Sequence, residues 1–572
     1  MENSLLSSLF VAESLEVYCF SLVFPLACRY NNLYLQARGG VTVTSIIRQK
    51  VGDKIYLYES VSFRNADGKP RNKRVPIGKI NPITGNPVYK PEYLARMAEQ
   101  GTPIEIPATN MTFSIEEIQR SSIKDYGAFY LFQSIAQSIG LLRALERALP
   151  NYWQEVFNLA CYLISSGDPF LYCEDWINST ECLPVGSMSS QRISELLAAI
   201  SPDSREAFYQ EWCQCRSEQE YLALDITSVS SYSNLIEDVE WGYNRDKEAL
   251  PQINLCMLMG EKSGLPIYQT AYSGSLKDVS TLKTTLSKMN ALSKGKPTLI
   301  VMDKGFFSTK NVNAMLNDAA KLRFVISVPF TSGFAKKQVE SERKDIDSLQ
   351  NTMVLGEDSV RGVTKLRAWN KDHKIYTHVY YNAMKAMKLR ENLYAHVALL
   401  KERAEAHPAA HLQEEEYSKY LLIRNSEKSP SGYTVSIKEE AIRQELETAG
   451  WMILITNDVA NAKAALRIYR EKDVVEKGFL RLKNSLDLGR LRVHKDGIMQ
   501  NKIFIGFIAL ILAAHIHKVM LEKDLYKKMT MKKLLITLSK LRIQVVNGTR
   551  ILFPLTKNQS TIYKAFNVKE PV

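Results

Sequence analysis

Hydrophobic and polar positions divide the chain into stretches with different periods. Residues 1–40 are apolar and almost free of basic residues, so we expect an N-terminal extension that contributes little to the fold. The pattern then becomes strand-like, and KIYLYESVSF at 54–63 and RVPIGKI at 74–80 flank the turn-rich segment NADGKPRNK. A turn of this composition between two such runs predicts a β-hairpin within a module at 41–110.

A helical period replaces the strand pattern between about Ile115 and Arg216. Apolar residues recur at helical spacing in FYLFQSIAQSIGLLRALERALP, WQEVFNLACYLISSG and SMSSQRISELLAAIS. Ser189 is suited to cap the helix that follows it, and residues 191–200 are a candidate DNA-recognition helix. Residues 111–217 are therefore predicted to form a helical DNA-binding domain. Any other small helical bundle would show the same pattern, and the link to DNA depends on charge and position alone.

Strands and helices alternate after Tyr221, which is the order of an α/β fold. Strand-like runs include LALDITSV, QINLCMLM, TLIVMDKG and WMILITND, and helical patterns separate the later ones. A β-rich stretch interrupts this order, and a basic tail follows it. The predicted parts are a first core part at 218–330, a β-rich insertion at 331–449, a second core part at 450–520 and a basic C-terminal tail at 521–572.

Two apolar runs resemble membrane segments, but neither has the features of one. The stretch from Leu5 to Cys28 carries acidic residues and no Lys or Arg before Arg29, the reverse of a secretory signal. The run IFIGFIALILAAHI at 503–516 is about 14 residues long, short of the roughly 20 that cross a bilayer. We expect a buried core helix there and no membrane partner. Eight scattered cysteines fit the reducing cytoplasm.

The charge of the chain suggests a class of partner. Lys and Arg number 74 against 61 Asp and Glu, which gives a formal net charge of +13 and a pI of about 9.1. This surplus favours a polyanion such as nucleic acid, and lysines that serve only solubility are the alternative. Basic residues crowd the predicted hairpin and form either a solvated loop or a contact to a phosphate backbone. They are Arg64, Lys69, Arg71, Lys73 and Arg74.

Two acidic residues stand where a strand pattern predicts burial. Asp225 lies inside LALDITSV, and Asp303 ends the apolar run TLIVM. A buried carboxylate is costly unless it is paired or binds a cation. In open α/β sheets, ligand sites gather at the carboxyl ends of strands, which favours a functional role for Asp303. The alternative for a single acid of this kind is a turn or helix cap.

A later helical segment, YREKDVVEKGFLRLK, adds a third acid. On a helical wheel, Tyr469, Lys472, Glu476 and Lys483 fall within about 60° of one another. One face therefore presents a phenol, two ammonium groups and a carboxylate. Ion pairing at i, i+4 explains Lys472 and Glu476 equally well by themselves.

Three clustered acids are suited to metal-dependent phosphoryl transfer. Carboxylates are hard oxygen ligands for Mg²⁺, and they repel one another unless a cation lies between them. Two such ions activate a water or a 3′-hydroxyl and stabilise the leaving oxygen of a phosphodiester.

These segments resemble the acidic motifs of a known enzyme family. LALDITSVS, VMDKGFFS and Y469-x2-K472-x3-E476-x6-K483 are similar to the three motifs of bacterial insertion-sequence DDE transposases. The subgroup is the one with the signature Tyr-x2-Arg-x3-Glu-x6-Lys, known as YREK. Lys472 stands where that signature has Arg, which keeps the charge but loses the bidentate fork.

The resemblance implies an RNase H-like catalytic core that holds the metals. Asp225, Asp303 and Glu476 would be its catalytic and metal-binding triad, with two Mg²⁺ ions and Mn²⁺ as a possible substitute. Tyr469, Lys472 and Lys483 would contact the phosphates of the transposon end. The β-rich insertion is typical of this subgroup.

The resemblance also implies partners and a reaction. Double-stranded DNA would be bound at the terminal inverted repeats and at the target, by a homodimer in a synaptic complex. Some members excise through a hairpin in which an aromatic residue stacks on a flipped base, and Trp369 is a candidate for that role. A core tryptophan on a strand is the alternative for this residue.

Two other functions compete with a transposase. A catalytically inactive DNA-binding protein derived from such an element would share its fold, although an intact acidic triad argues against it. A glycosidase with two carboxylates would give no reason for the Tyr, Lys and Lys on the face of Glu476.

Overall fold

The computed structural model describes ten stretches of the 572-residue chain, which are residues 34–37, 40–52, 54–64, 68–80, 87–99, 114–215, 220–293, 298–318, 322–546 and 549–572. Most of the predicted extension at 1–40 lies outside them, as does Asp67 of the predicted hairpin turn. The chain divides into two units, Met1–Glu116 and Glu117–Val572.

In its described part, the first unit has an antiparallel sheet of five strands in sequential order and one helix that lies wholly within the unit. Its strands are β1 (Tyr34–Ala37), β2 (Gly40–Val51), β3 (Lys54–Arg64), β4 (Pro70–Ile80) and β5 (Pro87–Tyr89), and its helix is α1 (Pro91–Glu99). A small core of Leu57, Ile77 and Tyr93 joins the sheet to α1. Strands β3 and β4 pair from Arg64↔Pro70 to Tyr56↔Lys79, and their ends at 62–64 and 70–72 extend beyond the pairing of β3 with β2.

The second unit has fourteen strands in its described part. They are β6 (Ser122–Asp125), β7 (Leu222–Ser230), β8 (Gln252–Gly260), β9 (Pro266–Ser273), β10 (Leu299–Met302), β11 (Arg323–Ser327), β12 (Thr352–Leu355), β13 (Asp358–Ala368), β14 (Lys374–Tyr381), β15 (Leu421–Asn425), β16 (Tyr433–Ile437), β17 (Trp451–Thr456), β18 (Arg542–Val546) and β19 (Thr549–Leu552).

The α-helices that follow α1 are α2 (Ile115–Gln119), α3 (Gly127–Ser138), α4 (Leu141–Ala148), α5 (Trp153–Ser165), α6 (Cys173–Ser179), α7 (Ser190–Ala199), α8 (Pro202–Gln214), α9 (Asp278–Ser293), α10 (Thr309–Leu316), α11 (Gly333–Glu342), α12 (Ala383–Ala406), α13 (Glu415–Tyr420), α14 (Glu439–Leu446), α15 (Ala462–Glu471), α16 (Asp473–Leu480), α17 (Asp496–Glu522), α18 (Met531–Ser539) and α19 (Lys557–Ala565). A π-helical turn, Arg481–Ser485, continues α16.

A mixed sheet of nine strands is the centre of the second unit. Its order is β12-β13-β14-β17-β11-β10-β7-β8-β9. The neighbours β7, β10 and β11 run parallel, whereas β8, β9 and β17 join antiparallel. Strand β8 is buried at every position, as its mostly apolar sequence QINLCMLM predicts for a strand covered on both faces. The second unit is therefore α/β, as the alternation of strands and helices predicts.

Helix α17 contains the apolar run at 503–516 and packs against α5, α7 and β9. It is the one helix in the described stretches that is long and apolar enough to cross a membrane, and 78% of its most apolar 18-residue window is buried inside the protein. Burial of this kind is expected of a core helix.

The predicted insertion at 331–449 contains helices as well as strands. Strands β12, β13 and β14 extend the central sheet through the β14–β17 pair, and β15 and β16 form a separate ribbon. Helix α12 alone has 24 residues. The sequence AMKAMKLRENLYAHVALLKERAEA is dominated by the residues with the highest helix propensity, which explains why this part is less β-rich than predicted.

The segment predicted as a basic tail at 521–572 is folded. Strand β18 pairs with β6 from the helical region, and β19 pairs with β18. The Tyr563 hydroxyl donates to the Gly127 carbonyl over 2.9 Å, so α19 is fixed against the start of α3. The basic residues of this segment therefore lie on a packed element.

Candidate active site

Parallel pairing brings the two predicted strand acids together. Met302 of β10 is the register partner of Leu224 in β7. Asp303 and Asp225 each follow one member of this pair, so they stand side by side on neighbouring strands. The Asp303 carboxylate also accepts a hydrogen bond from the Gly305 backbone N–H over 2.6 Å and caps the short turn that follows β10.

The third acid reaches the same place on α16. This helix packs on β7 and β8, and Val475 is buried there. The approach is so close that a methyl group on Gly478 would lie 2.4 Å from Met259 Sδ. Helix α16 therefore lies close to β8 at Gly478, and a larger residue there would require the Met259 side chain to move.

One ammonium group bridges two of the acids. Lys472 Nζ lies 3.2 Å from Asp225 Oδ2 and 3.1 Å from Glu476 Oε1. The Lys472 side chain is only 7% exposed, compared with 19% for Asp225 and 57% for Glu476. The lysine is thus an internal cation of the site rather than a surface charge.

The pKa values reflect this arrangement. Burial raises the pKa of the Asp225 carboxyl above its usual value, and the charge of Lys472 offsets part of that rise. Burial by itself lowers the pKa of Lys472, but the carboxylates of Asp225 and Glu476 outweigh it and the pKa is raised. Lys472 is therefore charged at neutral pH.

A cavity of about 320 Å³ opens beside these groups. Asp303, Tyr469, Lys472 and Glu476 all line it. Burial raises the pKa of the Tyr469 phenol, and a hydrogen bond with Ser327 opposes this rise, so the phenol stays protonated. Three of the four residues of the predicted helical face therefore meet one of the strand acids in a single cavity.

Lys483, the fourth residue of that face, points elsewhere. It lies in the π-helical turn after α16, where the helical phase changes, and forms an ion pair with Asp246. Asp246 belongs to the loop between β7 and β8. A wheel drawn for a regular helix could not anticipate this change.

The three carboxylates are suitable ligands for a divalent cation, but in this structure they are not grouped around a single metal position. Three carboxylates supply only hard oxygen ligands, which Mg²⁺ and Mn²⁺ prefer. Among the residues that the structure describes, no group of three or more His, Cys, Asp or Glu side chains is placed to hold a metal ion. The Lys472 ammonium supplies the compensating charge between Asp225 and Glu476 instead.

Sequence reasoning missed an ion pair next to this site. Arg245 Nη2 donates to both carboxylate oxygens of Asp278 over 2.6 Å. A methyl group on Gly305 would lie 2.9 Å from Asp303 Oδ1 and 3.3 Å from Asp278 Oδ2, so the two acids flank one glycine. Arg245 lies in the loop between β7 and β8, and no spacing in the sequence predicts its partner at Asp278.

Trp369 lies in the turn between β13 and β14. Its indole N–H donates to Asn313 Oδ1 over 2.7 Å, and its ring meets Phe334 edge to face with centroids 5.7 Å apart. The residue is partly buried and packs against the main core. Its stacking on a flipped base stays a prediction.

The basic residues of the predicted hairpin lie in the first unit. Lys69, Arg71, Lys73 and Arg74 are exposed. Arg71 and Lys73 share one face of β4 and Arg74 lies on the other. Arg64 is the last residue of β3, and the structure describes its backbone but not its side chain.

Comparison with known proteins identifies the family. The model of the transposase DDE domain matches residues 216–512, just over half of the chain and the whole of the site described above. The chain therefore belongs to the DDE transposase family, which confirms the coarser part of the resemblance and implies an RNase H-like core.

Two further comparisons add context. A cryo-EM structure of the piggyBac transposase synaptic complex with hairpin DNA matches at 11% sequence identity and a TM-score of 0.34, over 78% of this chain and 74% of that chain. No curated protein sequence matches the chain. The family assignment rests on the match to the DDE domain.

Proposed function

We propose that the chain is the transposase of a bacterial insertion sequence from the YREK subgroup. It would bind the terminal inverted repeats, cleave the ends of the element and join the 3′-hydroxyl ends to target DNA. One observation carries the proposal: within a transposase DDE domain, Asp225 and Glu476 share the Lys472 ammonium, and Asp303 opens into the same cavity.

In this proposal the three acids hold divalent cations. Bound Mg²⁺ or Mn²⁺ would activate the attacking water or 3′-hydroxyl and stabilise the leaving oxygen. Asp225, Asp303 and Glu476 would be the ligands. Tyr469 would orient the DNA backbone in the cavity, and Lys472 would hold a phosphate once it is released from the acids.

DNA binding outside the catalytic cavity is assigned by charge. Arg71, Lys73 and Arg74 are exposed and have no carboxylate partner within the described stretches, so they are available for phosphates. Lys69 and Arg64 belong to the same end of the β3–β4 pair and are proposed as further DNA contacts. A homodimer would bring two element ends together, and we place the protein in the bacterial cytoplasm at the nucleoid.

The test is cleavage of a donor plasmid that carries the inverted repeats flanking the gene, with Mg²⁺. Asp303→Asn keeps the size of the side chain and removes its charge, so we expect strand cleavage to fall at least about a hundredfold while DNA binding persists. Asp372→Asn, an exposed acid in the turn before β14, is the matched control and should cleave as wild type does. Undiminished cleavage by Asp303→Asn would refute the triad.

An inactive DNA-binding descendant of a transposase is the second candidate. The observation that favours it is the ammonium of Lys472 between Asp225 and Glu476, which offsets one of their two negative charges without a metal. The same experiment separates the two proposals, because an inactive descendant would bind the repeats and leave the plasmid intact at every Mg²⁺ or Mn²⁺ concentration.

A further inference from the structure

The catalytic cavity has a second wall, made by the predicted insertion. Asn382 and Lys385, at the start of α12, line the cavity together with Asp303 and Glu476. Trp451 and Met452, at the start of β17, complete this side. Residues that are distant in sequence from the acidic motifs therefore face the same space as the acids.

This wall is fixed to the catalytic sheet. The Asn382 backbone N–H donates to the Gly450 carbonyl over 2.8 Å, just before β17 begins. Gly450 has a φ of +78°, and a methyl group there would lie 2.6 Å from both the Asn382 carbonyl oxygen and Ala386 Cβ. The first turn of α12 is thus packed directly on the backbone before β17, which fixes the backbone of Lys385 at the edge of the cavity.

The other cations of the cavity are already engaged. Lys472 pairs with Asp225 and Glu476, and Arg470 pairs with Asp358 over 2.9 Å. For Lys385, by contrast, the described part of the chain supplies no carboxylate partner. It is an exposed ammonium that lines the cavity from α12, whereas Lys472 and Glu476 line it from the first turn of α16 and the residue before it.

We propose that Lys385 holds a phosphate of the DNA strand that is cut, so that the insertion contributes a substrate contact to the active site. A phosphodiester is the ligand that fits, because its negative charge would pair with the Lys385 ammonium. In the proposed reaction it must also approach Asp303 and Glu476. The inference rests on the proposed function and names a further positioning residue for it. Without Lys385, every cationic contact in the cavity would come from the segment that contains Arg470 and Lys472.

The test compares two lysines of one helix. Lys388 is exposed, lies three residues beyond Lys385 on α12 and does not line the cavity. Binding of a duplex with the flanking inverted repeat is measured by fluorescence anisotropy in EDTA over a range of salt concentrations. We expect Lys385→Gln to bind about three- to tenfold more weakly and to lower the slope of log K against log salt by about one. Lys385→Arg should retain both values, and Lys388→Gln should match wild type.

The outcomes separate the inference from the function on which it rests. Equal binding and equal salt slopes for wild type and Lys385→Gln, with normal plasmid cleavage by wild type, would overturn the inference and leave the proposed function in place. Equal losses for Lys385→Gln and Lys388→Gln would also overturn it, because they would indicate general surface charge. Wild-type protein that neither binds nor cleaves the DNA would overturn both.

Discussion

At the scale of single residues, Lys472 determines the charge balance of the site. It is nearly buried, charged at neutral pH and within 3.2 Å of carboxylate oxygens of Asp225 and Glu476. A divalent cation bound by the same carboxylates would compete with this ammonium for them. The lysine therefore opposes metal binding in the free protein.

Lys472→Gln should bind metal more tightly. Removing the competing charge leaves Asp225 and Glu476 uncompensated, so we expect the affinity for Mn²⁺, measured by calorimetry without DNA, to rise about tenfold, which corresponds to about 1.4 kcal/mol. Lys477→Gln, on the exposed side of α16 and paired with Asp473, is the control with little expected change. Unchanged or weaker Mn²⁺ binding by Lys472→Gln would contradict this account.

The sequence predicts the three acids as site residues, but it does not predict the contacts between Asp225 and the residues around it. Asp225 and Asp303 stood out because a carboxylate inside or at the end of an apolar strand needs a partner. The residue that compensates Asp225 came from a helix some 250 residues later, and no local pattern links the two. The position of Lys385 in the cavity could not be predicted for the same reason, because it depends on the packing of Gly450 against the first turn of α12.

At the scale of elements, two acidic residues lie next to each other where the end of β8 meets the end of α15. Glu261 follows β8, its side chain is 2% exposed, and it lies beside Glu471 at the end of α15. Burial and the charge of Glu471 raise the pKa of Glu261 to about 7. Ionisation of Glu261 therefore works against the packing of these elements.

This pair should make stability depend on pH. Between about pH 4.5 and pH 7 the unfolded chain loses the Glu261 proton while the folded chain keeps it, so the free energy of unfolding falls as pH rises through this window. Glu261→Gln should remove that loss and raise stability at pH 8 by about 1–3 kcal/mol, with little effect at pH 4.5. Thermal unfolding across this range is the measurement, and Glu391→Gln on the exposed face of α12 is the control. A pH profile for Glu261→Gln that parallels wild type would refute the prediction.

Elements that contain long apolar runs were the predictable ones. The buried strand β8 follows from the run LCMLM at 255–259, and the helix α17 follows from the run at 503–516. The segment at 331–449 was harder, because its strands β13 and β14 carry mixed exposed and buried positions and α12 has apolar residues on several sides. Strands β13 and β14 join the central sheet because β14 pairs with β17, which comes more than 60 residues later in the chain.

At the scale of the whole molecule, the basic residues behind the net charge of +13 have different environments: some are exposed and some are paired inside the protein. Exposed cations at Arg71, Lys73 and Arg74 lie in the first unit, whereas Lys472 neutralises acids inside the second. Basic residues after position 521 belong to a folded segment whose strand β18 pairs with β6. Composition indicates a polyanionic partner, but only the positions of these residues separate DNA contacts from internal compensation.

The central claim is that Asp225, Asp303 and Glu476 act as one catalytic set. Cleavage of the donor plasmid with Mg²⁺ should be compared for Asp303→Asn, Glu476→Gln and the double variant. We predict a loss of at least about a hundredfold for each single variant and no further loss for the double variant, because residues that act as a unit are not additive. Wild-type cleavage by either single variant, or losses that multiply in the double variant, would contradict the claim.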